Sequence, residues 1–174
     1  YELPIGTPLR TLIYDQAYGG GILDDRAFKA VMPGGSSSPM LGAEHLNATL
    51  DADSLGAAGS VPGSGGVIVL HDGTCIVAAV QRMSEFYRDE SCGKCTPCRE
   101  GTYWIASIME RLVQGEGKEG DIDLLLDISA NIGGKSFCPQ GDFAIGSITS
   151  SIKLFREEYE YHIREKRCNL AAHK

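Results

Sequence analysis

The sequence predicts an α+β chain in two parts, a small α+β module over residues 1–73 and a four-helix bundle over residues 74–174. Two observations carry this. Residues 1–73 hold most of the glycine and proline, in "YGGG", "MPGGSSSP" and "SVPGSGG", with only brief apolar stretches between them. From Thr74 onward, apolar residues recur at three- and four-residue steps in four segments joined by short loops. One short helix crossing a few strands makes a small layered module, and four amphipathic helices make a bundle.

In the first part, "TPLRTLIYDQAYG" predicts a short amphipathic helix, with Thr7 as N-cap, Pro8 as first helical residue and Gly19 as the stop. "FKAVM" and "GVIVL" are brief apolar runs bounded by turn residues, and they predict strands. "LNATL" is a further short apolar stretch. In the second part, "CIVAAVQRMSEFYRDES" places Ile76, Val77, Val80, Met83 and Tyr87 along one helical face. "REGTYWIASIMERLVQG" does the same with Trp104, Ile105, Ile108, Met109 and Leu112. After the polar loop "GEGKEG" comes "DIDLLLDISANIG", read as capped by Asp121 and stopped at Gly133. The last and longest segment is "DFAIGSITSSIKLFREEYEYHIREKRC", with Ile145, Ile148, Ile152, Phe155, Tyr159 and His162 in step.

Composition narrows the function. Of 174 residues, 43% are hydrophobic and 22% charged, the balance of an ordinary globular protein. A formal charge of −7 without a long basic run argues against nucleic acid as partner. "GVIVL" and "CIVAAV" are separated by "HDGT", so no apolar run reaches the length of a membrane span. No secretory signal opens the chain, and its first residue is Tyr1 and not Met, so it reads as a segment of a longer protein. Six cysteines in that setting point to metal ligation more than to disulfides.

The cysteines carry the chemistry. "ESCGKCTPCREG" places Cys92, Cys95 and Cys98 at steps of three. A helix would put them along one stripe, unable to surround a single zinc, and Gly93 and Pro97 favour a loop between helices. A C-x2-C-x2-C loop offers one thiolate to each of three irons of a cubane, and a remote cysteine followed by proline supplies the fourth. Cys138-Pro139, in "GGKSFCPQGD" between the third and fourth helices, has both features. Structural zinc takes paired C-x2-4-C half-sites or cysteine with histidine, and neither accompanies Cys138. The spacing therefore favours a [4Fe–4S] cluster over zinc or disulfides.

The remaining candidates read more blandly. Cys75, at the start of an apolar helix, is expected as a small core residue, and Cys168, in the charged tail, as a free or disordered thiol. Lys94 and Arg99 either raise the potential of a negatively charged cluster or are solvated charges at a loop edge. Trp104 reads as bundle core. His71-Asp72 beside Gly73 reads as a turn with no nucleophile near it. "PGGSSSP" lacks both phosphate-binding glycine patterns and reads as a tight loop.

"EFYRDESCGKCTPCREGTYW", with the distant "SFCPQGD", resembles the C-terminal half of the NADH-binding flavoprotein subunit of respiratory complex I. "VMPGGSSSPML" and "GGVIVLHDGT" resemble that family's β-grasp, soluble-ligand-binding domain, so the likeness covers nearly the whole chain. The resemblance implies a β-grasp module over 1–73, a helical-bundle cluster domain over 74–174, and Cys92, Cys95, Cys98 and Cys138 as [4Fe–4S] ligands. In that family NADH gives a hydride to FMN, and single electrons pass through this cluster to clusters on neighbouring peripheral-arm subunits and on towards quinone. FMN and NAD(H) bind in an N-terminal α/β domain that this segment does not include, so no flavin or nicotinamide residue is assigned here. The segment alone is not expected to oxidise NADH. The implied location is the peripheral arm of a membrane complex, on the cytoplasmic side of a bacterial inner membrane or the mitochondrial matrix side, with no direct membrane insertion.

Flavoprotein subunits of NAD-linked hydrogenases and formate dehydrogenases share near-identical cysteine loops. They commonly add ferredoxin-like domains with further cysteine clusters, which favours complex I for this sequence. A zinc-stapled interaction domain is the non-enzymatic alternative.

Overall fold

The computed structural model describes residues 1–170. It has mixed helix and strand, and it divides into two compact units, Tyr1–Thr74 and Cys75–Lys174.

The first unit is built on two strands, β1 (Phe28–Met32) and β2 (Ile68–His71). They pair antiparallel with Met32 opposite Ile68 and Val31 opposite Val69, and the register slips between Phe28 and Ala30. Val31 also exchanges both backbone hydrogen bonds with Leu41 on its other side, at 3.0 and 2.8 Å. The predicted strands are both present. The first helix, α1 (Leu9–Tyr14), is shorter than its sequence pattern implies. Thr7 does not cap it, because the Thr7 hydroxyl donates instead to the Pro4 carbonyl at 2.7 Å. Pro8 takes the cap position in extended backbone, and the helix ends at Asp15, well before Gly19. Leu9 and Ile13, one turn apart, pack with Val31, Leu41, Leu46 and Leu55 into the apolar centre of this unit.

A second helix, α2 (Ala52–Ala57), was not predicted from the apolar pattern. A local signal for it exists: Asp51 is the N-cap, and its carboxylate accepts the Ser54 N–H at 2.7 Å. "PGGSSSP" is the tight loop expected. Ser38 Oγ accepts the Gly34 N–H at 2.9 Å and donates to the Gly35 carbonyl at 2.9 Å. Gly34 lies so close to the segment 62–63 that an added Cβ would stand 2.7 Å from the Pro62 carbonyl carbon and the Gly63 nitrogen.

The second unit consists of α3 (Ile76–Asp89), α4 (Thr96–Val113), α5 (Asp121–Ile132) and α6 (Gln140–Glu165). Helix α3 packs on α4 and α6, and α4, α5 and α6 all pack on one another. The buried faces follow the predicted stripes, with Val80 and Tyr87 from α3, Ile105, Met109 and Leu112 from α4, Leu125 from α5, and Ile148, Ile152 and Tyr159 from α6. Trp104 departs from its prediction: it is 53% exposed. It lies beside Ile105 in sequence but at the edge of the stripe, and a ring of this size is seldom fully buried.

Asp121 is also corrected. Gly120, in left-handed backbone, holds the cap position of α5, and Asp121 is the first helical residue. Its carboxylate reaches back, accepting the Lys118 N–H at 2.8 Å and Arg111 Nε–H at 2.9 Å. This buried carboxylate therefore ties the end of α4 to the start of α5. Burial alone would raise its pKa, but the bonds from Arg111 and Lys118 outweigh it and hold the carboxyl below its ordinary value.

Helix α6 is interrupted at Phe155, where φ is −134° and ψ 35°. One to two turns earlier stand Thr149, Ser150 and Ser151, whose hydroxyls donate to the carbonyls of Ile145, Gly146 and Ile148 at 3.0, 2.6 and 3.0 Å. Such back-bonding competes with the helix ladder and bends it. Across the break, Ser151 Oγ and Tyr159 OH lie 2.7 Å apart, both buried.

Two outcomes follow from this packing. Gly34→Ala lowers stability by about 1–3 kcal/mol, because its neighbours at 62–63 are backbone and cannot swing aside; denaturant melts of the two proteins measure it. Asp121 has a depressed folded pKa, so its stabilisation is present above the unfolded carboxyl pKa, about 3.9, and is lost as pH falls through the folded value. Asp121→Asn costs about 2 kcal/mol at neutral pH and flattens the acid limb of a stability-against-pH profile.

Candidate metal centre

Helix α3 ends at Asp89, and a left-handed Gly93 (φ 77°) turns the chain before α4 begins. An L side chain at that φ is strained, which gives Gly93 its place between two ligand candidates. Cys92 is exposed, Cys95 is half-buried at the cap position of α4, and Cys98 is only 6% exposed. The loop is shorter than the sequence implied. Helix α4 already starts at Thr96, so Pro97 stands in its first turn, where the missing N–H has no ladder partner to lose. Cys98 therefore belongs to the helix, with Ser91 Oγ 3.5 Å from its sulfur.

Cys138 lies exposed in the connection from α5 to α6, next to Pro139 at the cap position of α6. That connection meets the first loop. The Phe137 N–H donates to Cys95 Sγ at 3.4 Å, and Lys94 Nζ stands 5.2 Å from the centroid of the Phe137 ring. Asp142, in the first turn of α6, accepts the Gly134 N–H at 2.7 Å and fixes the connection from its other side. Arg99 is a brace, donating to the Gly93 carbonyl at 3.0 Å and to Glu100 at 2.6 Å. Ser136 Oγ and Gln140 Nε2, flanking Cys138, are buried without a hydrogen-bond partner.

This arrangement suits a cluster better than one ion. A cubane carries its thiolates on separate irons, so its donor sulfurs need not converge on one point. Among the described residues, the one group of potential ligands whose donor atoms all lie within 4.8 Å of one another is a different set: Cys75, His162 and Cys168. Sequence reasoning treats Cys75 as plain core and Cys168 as a free tail thiol, and it finds no relation to His162. Cys75 is indeed buried, but it is also the cap residue of α3, its sulfur accepting the Ala78 N–H at 3.4 Å. His162 Nε2 lies 3.3 Å from that sulfur. Burial, with Cys168 close by, pushes the Cys75 thiol up to about 12, and burial lowers His162. Residues so far apart in sequence give no spacing signal.

His71-Asp72 is the turn expected, with His71 Nδ1 accepting the Gly73 N–H at 3.0 Å and Asp72 paired to Arg26 at 2.9 Å.

Comparison with known proteins finds relatives of this chain. Residues 78–162 match the model of the NADH-ubiquinone oxidoreductase-F iron-sulfur binding region. That stretch is similar to this family. It contains Cys92, Cys95, Cys98 and Cys138, and it leaves out Cys75 and Cys168. Over 168 residues, the chain is 51% identical to the NADH-quinone oxidoreductase F-subunit of Mycobacterium bovis, covering 97% of this chain and 37% of that protein. The corresponding protein of Streptomyces coelicolor is 49% identical, with the same coverage. The chain thus spans 37% of the length of these relatives. Among solved structures, an NAD+-reducing [NiFe]-hydrogenase in the H2-reduced state superposes with a TM-score of 0.80 at 29% identity, over 94% of this chain and 27% of that one.

Gly93→Ala costs about 1–2 kcal/mol from its left-handed backbone. Thermal unfolding reads the loss, and Gly65→Ala, left-handed and in the first unit, is the control of comparable strain.

Proposed function

We propose that Cys92, Cys95, Cys98 and Cys138 hold a [4Fe–4S] cluster, and that the chain is the electron-transfer part of the NADH-oxidising flavoprotein subunit of an NADH:quinone oxidoreductase. The contact of Phe137 N–H with Cys95 Sγ carries this reading, because it draws the Cys138 loop onto the C-x2-C-x2-C loop. The residues suit such a group. Backbone N–H to sulfur bonds are what stabilise ligating thiolates, and the unpartnered Ser136 Oγ and Gln140 Nε2 are donors that inorganic sulfide can accept. When bound, the cluster supplies one-electron storage.

The chain's own residues do the rest. Cys98 and the first turn of α4 provide the dry side of the site, while Cys92 and Cys138 remain open to solvent. Lys94 adds positive charge near the ligands, and Arg99 holds the loop shape through the Gly93 carbonyl. On this reading the first unit is a β-grasp, soluble-ligand-binding module and the four helices are a bundle. FMN and NAD(H) belong to a domain outside this chain, and the partners are iron–sulfur subunits of a peripheral arm. That arm lies on the cytoplasmic side of a bacterial inner membrane or the matrix side of a mitochondrial one. No helix among the described residues is long and apolar enough to cross a membrane. The likeness to an NAD+-reducing hydrogenase supports a second reading, the corresponding subunit of such an enzyme.

Iron and acid-labile sulfide on anaerobically purified chain test the proposal, with about four of each expected. Cys138→Ala lowers both and alters the visible spectrum, since no spare cysteine lies in the motif. Four irons with an unchanged spectrum in that variant would sink the ligand assignment. Zinc at the four cysteines without sulfide would replace electron transfer by a structural staple.

A further inference from the structure

The Cys75, His162 and Cys168 group lies outside the cysteine loops and has no part in the function above. Three features of it resemble a built metal site. First, the donors converge: Cys75 Sγ, the His162 ring and Cys168 Sγ lie within 4.8 Å of one another, with Cys75 and His162 buried. Second, the imidazole is oriented for ligation. His162 Nδ1 lies 3.2 Å from the Leu112 carbonyl, which can only accept, so Nδ1 carries the proton and Nε2 turns its lone pair towards Cys75. A ligating histidine is held in this way by a backbone acceptor on its far nitrogen. Third, each sulfur receives a backbone N–H, Ala78 to Cys75 and Leu170 to Cys168, both at 3.4 Å.

The chain also goes out of its way to make the group. Helix α6 stops at Lys166, a non-glycine residue in left-handed backbone (φ 56°), with its N–H on the His162 carbonyl at 3.1 Å. Its Nζ donates to the Gly117 carbonyl, fixing the turn. That turn brings Cys168 back to His162 and to the start of α3. A strained residue held from both ends implies that the surroundings over-determine its conformation.

We propose that Cys75, His162 and Cys168 bind a single zinc-class divalent ion, which staples the segment after α6 to the first turn of α3. Two thiolates with one imidazole are a borderline-soft donor set suited to zinc. Binding takes the ion from solution and releases the two thiol protons to solvent, leaving the ion's charge balanced by two thiolates. A water completes the tetrahedron.

The test is metal content of the whole chain, grown with zinc, purified without oxygen and passed over a chelating resin. About one zinc per chain is expected beyond any iron. Cys168→Ser, at a partly exposed position, lowers retained zinc more than about tenfold while iron and sulfide stay unchanged. Cys92→Ser does the reverse, lowering iron and sparing this zinc, so the two sites fail separately. Cobalt(II) titration of the unsubstituted chain gives a tetrahedral thiolate spectrum at one equivalent, independently of whether any variant folds. The proposal is overturned by a zinc-free chain with no such cobalt spectrum, by zinc retained in Cys168→Ser, or by a Cys75–Cys168 disulfide in the anaerobic protein.

Discussion

A single backbone contact, the Phe137 N–H on the Cys95 sulfur, joins positions 42 residues apart, and the second unit is organised to make it. Helix α4 leads away from the first cysteine loop, and α5 must return to the same end to deliver Cys138. The two helices are unequal, with 18 residues against 12, or about 27 Å of rise against 18 Å. The connection between them makes up the difference. Its shape is set by Asp121, whose carboxylate holds Arg111 of α4 and the Lys118 N–H at once. The ion pair at one end of this helical hairpin thus sets the meeting of loops at the other.

Each cysteine loop is further defined by residues outside the four cysteines. Arg99 holds the Gly93 carbonyl, and Asp142 holds the Gly134 N–H, so both loops are tied to the first turn of the helix that follows them. On the proposed reading, a loop pinned in this way holds its cysteines in place before the cluster binds, which reduces the ordering cost of binding. The two short loops therefore behave as extensions of α4 and α6.

Much of this was legible in the sequence, for identifiable reasons. Strands β1 and β2 and helices α3 to α6 announced themselves through apolar spacing, which is a local property read over a few turns. The cysteine loops stood out because their spacing follows a pattern that cluster ligation requires. What escaped was set by tertiary contacts. Pro97 reads as a breaker, yet it is comfortable in a first helical turn. Trp104 follows the apolar stripe, yet it stands at the exposed edge of that stripe. Asp121 looks like a cap, yet its partners lie behind it. The short helix α2 was marked only by Asp51 and Ser54, too few residues to show a period. Cys75 and Cys168 are joined through folding alone, so neither carried a spacing signal.

The break in α6 at Phe155 gives this helix the mechanics of a jointed rod. Its first piece abuts the Cys138 loop and its second carries His162, with the Ser151–Tyr159 hydroxyl pair as a pin across the joint. An unbroken helix of 26 residues would pass a twist at one end to the other. Here the ladder is broken at Phe155, and the Ser151–Tyr159 pair is the side-chain tie that spans the break.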